Sequence, residues 1–225
     1  TAKTIIACGT EDGDWRLPDL VALCEVENDS VMRDLTRRSL LRGANYEYLM
    51  TSSPDVRGID VALLYSPGSF APVRHYPLRV KPMKGMRPTR DILYAAGRII
   101  TGDTLHIFVV HAPSRYGGER RTRPHRRLVA SRLCLAVDSL RAACQDPMII
   151  IMGDFNDGGD SPVIRQICAK GLTDVSAGAT GSHGAHGTYK YKGRWECIDY
   201  IIASPAAAHR LHSCTVNDAP FLLEA

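Results

Sequence analysis

Apolar positions along this chain fall into two rhythms, one of strands and one of helices. Short continuous apolar runs cover Val21 to Cys24, Val61 to Tyr65, Leu93 to Ile100, Thr104 to His111 and Met148 to Met152, and read as strands, the last as one buried on both faces. Val129, Leu133, Ala136 and Leu140 recur at helical spacing, so the pattern predicts an amphipathic helix from Pro124 to about Ala143, with Pro124 near its start. Ser30 to Leu41 reads as a second helix, and Ala2 to Ala7 as the tail of another that ends near Gly9, before the polar loop Thr10 to Asp14. Gly102-Asp103 and Lys192-Gly193 are two-residue hairpin signals, the second joining Thr188 to Lys192 with Arg194 to Ile202. Hairpins mixed with strand–helix crossovers imply an α/β fold of two packed sheets with helices outside.

Composition adds bounds to this pattern. With 225 residues, 44% of them hydrophobic, the chain is long enough for one large α/β domain, and no repeat or composition break marks a second. The net charge of +4 is mild. Arginine is concentrated at Arg115, Arg120, Arg121, Arg123, Arg126, Arg127 and Arg132, which reads as an exposed helix face, or as a cluster that steers a polyanion. The seven cysteines contain no Cys-x-x-Cys pair and are expected to be buried free thiols, which favours a reducing compartment. No apolar stretch approaches a membrane span. Because the sequence begins at Thr1, localisation stays open between cytoplasm and export.

The chemistry concentrates where strands end. Met148 to Met152 stops abruptly in Gly153-Asp154-Phe155-Asn156-Asp157, placing two carboxylates and an amide at a strand mouth. Ligands of α/β proteins bind beyond the carboxyl ends of strands. An Asp there can orient or deprotonate a water, and Asn156, two residues on, can donate to a developing oxyanion. The strand over residues 18 to 28 ends in Glu25 and Glu27, hard ligands suited to Mg²⁺ or Mn²⁺. His111 ends another strand, with a side chain whose ordinary pKa lies near working pH. Asp199 interrupts the apolar run Ile198 to Ile202, and a lone buried carboxylate is expensive unless something pairs with it.

In order, Leu23-Cys24-Glu25-Val26-Glu27-Asn28, Arg57-Gly58-Ile59-Asp60, Thr89-Arg90-Asp91, Val110-His111-Ala112-Pro113-Ser114-Arg115, Gly153-Asp154-Phe155-Asn156-Asp157 and Ile198-Asp199-Tyr200-Ile201-Ile202 resemble the motifs of the endonuclease/exonuclease/phosphatase superfamily, the DNase I-like proteins. The resemblance runs from about Pro18 to Ser204. It implies a four-layer α/β/β/α sandwich of two mixed sheets flanked by helices, in a single domain over 1–225 that lacks the family's first strand and its C-terminal Ser-Asp-His segment. It also implies a metal-dependent phosphodiester hydrolase, nuclease-like, with Mg²⁺ or Mn²⁺ on Glu25. Asp154 would activate water, His111 and Asn156 would bind the phosphoryl group, and Asp199 would hold a histidine from the absent segment. Arg90 and Arg115 are expected to bind substrate, with Arg57 beside them.

Alternatives remain at this level. The substrate is DNA, RNA, or a small or lipid phosphoester, and the rival reading is a non-catalytic binding module that keeps the fold. The expected partner is a phosphoester, nucleic acid among the choices, met by a monomer. The segment Gly178 to Gly187 lacks the lysine of a phosphate-binding loop and reads as a mobile loop beside the cleft, His183 and His186 having no second ligand pair. Tyr189, Tyr191 and Trp195 read as sheet-packing residues or as stacking partners for bases.

Overall fold

A computed structural model describes residues 1–9 and 15–223; the expected polar loop Thr10 to Asp14 lies outside the described residues. The elements run α1 (Ala2–Ala7), β1 (Leu20–Val26), α2 (Asp29–Arg37), β2 (Glu47–Met50), β3 (Asp60–Tyr65), β4 (Phe70–Leu78), β5 (Ile92–Ile99) and β6 (Thr104–His111). They continue with α3 (Glu119–Ala143), β7 (Met148–Asp154), α4 (Pro162–Cys168), β8 (Thr173–Asp174), β9 (Tyr189–Tyr191), β10 (Arg194–Glu196), β11 (Asp199–Ala203), α5 (Pro205–Ala208) and α6 (Pro220–Leu223).

A six-stranded sheet, β4-β5-β6-β7-β11-β8, faces a three-stranded sheet, β1-β3-β2. The larger sheet is mixed, because β6 and β7 are parallel and joined across α3, while the smaller is antiparallel throughout. Val61, Leu63, Phe70, Leu93, Ile107 and Val109 fill the space between the sheets. Outside the larger sheet, Val129, Leu133 and Val137 of α3 and Val163 and Ile167 of α4 meet Phe108, Ile149 and Ile151. Outside the smaller one, Ile5 of α1 and Met32 of α2 meet Val26, Ala62 and Leu64. The result is the expected helix, sheet, sheet, helix layering.

Local chemistry explains where the boundaries moved. The Asn28 side chain accepts from Val31 N–H at 3.1 Å, which starts α2. Helix α3 begins at Glu119, five residues ahead of the Pro124 expected near its start, after Gly117 and Gly118 with positive φ. Those extra residues let Thr122 and the Glu119 carbonyl accept from the Arg126 guanidinium. Arg126 is wholly buried and its Nε lies 2.9 Å from Asp157 Oδ2, so this arginine is no part of an exposed helix face. Arg120, Arg121 and Arg127 are exposed as expected.

The stretch Arg194 to Ile202 is two strands instead of one. β10 pairs with β9 in a separate two-stranded sheet, and β11 joins the six-stranded sheet, the change occurring at Cys197-Ile198. β4 gave no apolar run because it is an edge strand: Pro72 and Pro77 sit in it, with a bulge between Pro72 and Arg74. All seven cysteines are free, but only Cys134 is fully buried: Cys24, Cys168, Cys197 and Cys214 are partly buried, and Cys8 and Cys144 are exposed, which corrects the expectation of buried thiols. Among the described residues no helix is long and apolar enough to cross a membrane.

Candidate active site

Strand register builds the centre. His111 on β6 pairs with Asp154 on β7, and Asp154 pairs with Asp199 on β11. Three adjacent strands of one sheet thus put His111, Asp154 and Asp199 side by side in a row, because residues directly opposite one another project to the same face. The close approach of β6 and β7 at this point depends on Gly153, whose φ is +138° and where an added Cβ would lie 1.9 Å from the Val110 carbonyl oxygen.

Asp154 is fixed from two sides. Its Oδ1 accepts the Asn156 backbone N–H at 2.7 Å, and its Oδ2 accepts the Asn156 side-chain amide at 2.9 Å. Asn156 reaches back this way because its φ is +50°, a left-handed conformation that asparagine tolerates well. The same amide donates to the Ala112 carbonyl at 3.1 Å, which also accepts from Arg90 Nη2 at 2.9 Å. The Asn156 amide thus donates to both Asp154 and Ala112, which positions the Asp154 carboxylate.

Burial, then the neighbouring Asp199, push the Asp154 carboxyl up to about 7, against the Asn156 amide and Arg90; Glu25 adds to the rise. Burial likewise raises Asp199, with Thr188 opposing. Among the described residues no histidine bonds Asp199. His111 moves the other way: burial, then Arg90 and Arg57, lower it to about 3. Its imidazole is neutral at working pH, which corrects the expectation of a group titrating there. Its Nε2 lies 3.6 Å from Asp154 Oδ2, a contact too long for a hydrogen bond, and its buried Nδ1 has no partner among the described residues.

Glu25 closes the site from the smaller sheet. It sits at a register shift between Leu23 and Val26 with φ +60°, a strained conformation for a residue with a Cβ, and its exposed carboxylate meets Arg57 Nη2 at 3.0 Å. Arg57, itself half exposed, lies close enough to His111 to help lower its pKa. Arg90 is not free to bind substrate: it is buried, with Nη1 3.2 Å from Asp55 Oδ2 and Nη2 on Ala112. Arg115 is bound to Glu196 at 2.5 Å. Sequence reasoning missed Cys24 in the floor of the site, where its thiol donates to the Val110 carbonyl at 3.5 Å and burial raises its pKa to about 12. Its place beside Glu25 in the sequence was the signal.

Among the described residues no three His, Cys, Asp or Glu side chains converge as a metal cage. A hard cation of the Mg²⁺ kind needs less, since one or two carboxylates with waters and a phosphate suffice. Glu25, an exposed hard oxygen donor in the field of Asp154, fits that requirement. Asp218 serves elsewhere: burial opposes its ionisation, but the amides of Ala185, His183 and Ser182 and the His183 ring hold its carboxyl down at about 2. The segment around His183 is thus pinned to Asp218, instead of being the loose loop expected.

The profile of the Endonuclease/Exonuclease/phosphatase family matches residues 2–214. Solved structures with the same fold include the catalytic domain of human Nocturnin with bound sulfate, 20% identical with a TM-score of 0.64 over 84% of this chain and 70% of that one. The mannosyl-6-phosphatase of Bacteroides thetaiotaomicron is 18% identical, with a TM-score of 0.62 over 84% of this chain and 72% of its own. D. rerio TDP2 complexed with single strand DNA product is 16% identical, with a TM-score of 0.58 over 84% and 73%. No curated protein matches the sequence.

Proposed function

Since this chain belongs to the endonuclease/exonuclease/phosphatase family, a family of phosphoester hydrolases, we propose that it cleaves a phosphodiester by attack of a water activated at Asp154, with a divalent cation, Mg²⁺ or Mn²⁺, on Glu25. The observation that carries this reading is the row His111, Asp154, Asp199 across three strands, with Asp154 held in place by Asn156.

In-line hydrolysis needs a base for the water, relief of charge on the phosphoryl oxygens and help for the leaving oxygen. Asp154, raised to about 7, is poised to take the proton of an attacking water near neutrality and to hold it in a half-buried place. Asn156 orients both carboxylate oxygens of Asp154, so the base does not have to reorganise. His111 is neutral and keeps one ring nitrogen beside Asp154, able to donate a hydrogen bond to a phosphoryl oxygen without adding charge. Arg57 supplies the positive charge at the rim. A cation on Glu25 would neutralise the phosphate and stabilise the leaving alkoxide.

The test is a turnover panel on a bis-aryl phosphodiester and an aryl phosphate monoester, with Mg²⁺, Mn²⁺ and chelator. Metal-dependent diester cleavage that Asp154→Asn abolishes supports the reading. Preference for the monoester, or turnover indifferent to the Asp154 change, overturns it.

A further inference from the structure

The hairpin β9–β10 has the features of a binding arm. It is a two-stranded sheet that pairs with no other described strand, and such a ribbon is marginal on its own. Its turn residues Lys192 (φ +48°) and Gly193 (φ +78°) have the paired left-handed backbone that tight hairpins require. Yet its aromatic side chains do not pack a core: Tyr189 is 40% exposed and Tyr191 55% exposed, although rings on a sheet ordinarily bury themselves.

What the rings do instead is specific. Tyr189 and Tyr191 project from the same face with planes within 10° of parallel and centroids 6.3 Å apart. On the opposite face Lys190 lies 5.1 Å from the Trp195 ring centroid, and at the tip Lys192 lies 5.3 Å from that of Tyr191. With Arg194 the arm carries three cations, and its one acid, Glu196, is neutralised by Arg115.

Both feet of the arm stand on the site. Thr188 Oγ1, just before β9, accepts the backbone N–H groups of Ile198 and Asp199, each at 3.2 Å. Arg115, from the loop that follows His111, grips Glu196 at the end of β10. The arm is thereby set in register with the row of His111, Asp154 and Asp199.

We infer that this hairpin is a platform for single-stranded nucleic acid, its tyrosines stacking on unpaired bases and Lys192 and Arg194, beside Tyr191, following the backbone while one phosphate occupies the centre. Parallel exposed rings flanked by cations suit a chain of flat bases joined by anions, and only unpaired bases offer free faces to them. In a duplex those faces are already covered. The inference deepens the phosphodiesterase reading and rests on it.

The experiment uses a fluorescent oligothymidylate of about twelve nucleotides with chelator, so that affinity is read without cleavage, and separately follows turnover of the bis-aryl diester. Y189A/Y191A should weaken oligonucleotide binding about tenfold or more while bis-aryl turnover stays within about twofold. Y189F/Y191F, which keeps the rings, should bind like the parent and shows that the loss is one of stacking, not of folding. K192Q should flatten the salt dependence by about 0.7 in the log–log slope. Parental affinity in Y189A/Y191A, or equal affinity for a duplex of the same length, overturns the inference even where the diester is hydrolysed. Failure of the parent to hydrolyse the diester would sink the enzyme reading, and the binding comparison would still decide the role of the arm.

Discussion

Asp154 and Asp199 stand directly opposite each other on antiparallel strands β7 and β11, two half-buried carboxylates in one row. Like charges so placed cannot both ionise without cost, and the first to feel it is Asp154, which burial and Asp199 raise to about 7.

Turnover in saturating Mg²⁺ should therefore climb as pH rises through the Asp154 pKa, which is about 7 without a cation and moves lower with one bound. Asp199→Asn removes the repelling charge and should shift the acid limb towards lower pH. The measurement is kcat/KM against pH for the bis-aryl diester in parent and variant; an acid limb that does not move refutes the coupling. His111, lowered to about 3, should contribute no inflection between pH 5 and 9.

The same shift has a sign for stability. Asp154 has a folded-state pKa above its unfolded one, so its contribution is fully present below pH 4 and is lost as pH rises through about 7. Asp154→Asn should thus leave the protein more stable than the parent at pH 8, by on the order of 1–3 kcal/mol, and confer no gain at pH 4. Urea denaturation at the two pH values checks this, and an equal difference at both would contradict it.

Gly153→Ala should be damaging out of proportion to a methyl group. The Cβ would overlap the Val110 carbonyl and the residue would have to hold φ +138°, so a loss of about 3 kcal/mol or more is expected, read as a lowered denaturation midpoint. A stability within about 1 kcal/mol of the parent would show that β6 and β7 separate easily.

Arg126→Met strands the buried Asp157 without its partner and should cost about 3–5 kcal/mol, while R126M/D157L should recover much of it. A double-mutant cycle by chemical denaturation measures the coupling. Additive losses would mean the pair is not the tie between α3 and the loop after β7.

Glu25→Gln should raise the Mg²⁺ concentration for half-maximal turnover at least about tenfold without a matching fall in denaturation midpoint, because Glu25 is exposed and its partner is the equally exposed Arg57. An unchanged metal titration would remove Glu25 as the ligand.

Most of the layering was legible in the sequence, because buried strands such as β3, β6 and β7 are short unbroken apolar runs and α3 carries a clear apolar stripe. β4 was not, since an edge strand with two prolines and an outward polar face leaves no such trace. The centre was legible where a polar residue ends or interrupts an apolar run, as at His111, Asp154 and Asp199. The arginines were not: whether a guanidinium faces solvent or a buried carboxylate depends on partners distant in the chain, Asp55 for Arg90, Glu196 for Arg115 and Asp157 for Arg126. The neutrality of His111 was hidden for the same reason, because it arises from burial and from Arg90 and Arg57, which lie far away in sequence.

The backbone of Ala112 is a junction for the site. Its oxygen receives Arg90 and Asn156, filling both lone pairs, and its N–H donates to the Asp154 carbonyl at 2.8 Å. A main-chain junction of this kind is immune to point substitution, apart from proline, which would delete the donor. Diversification of this scaffold is thus channelled into the groups that plug into the junction, whereas residue 112 itself is free to drift among small side chains.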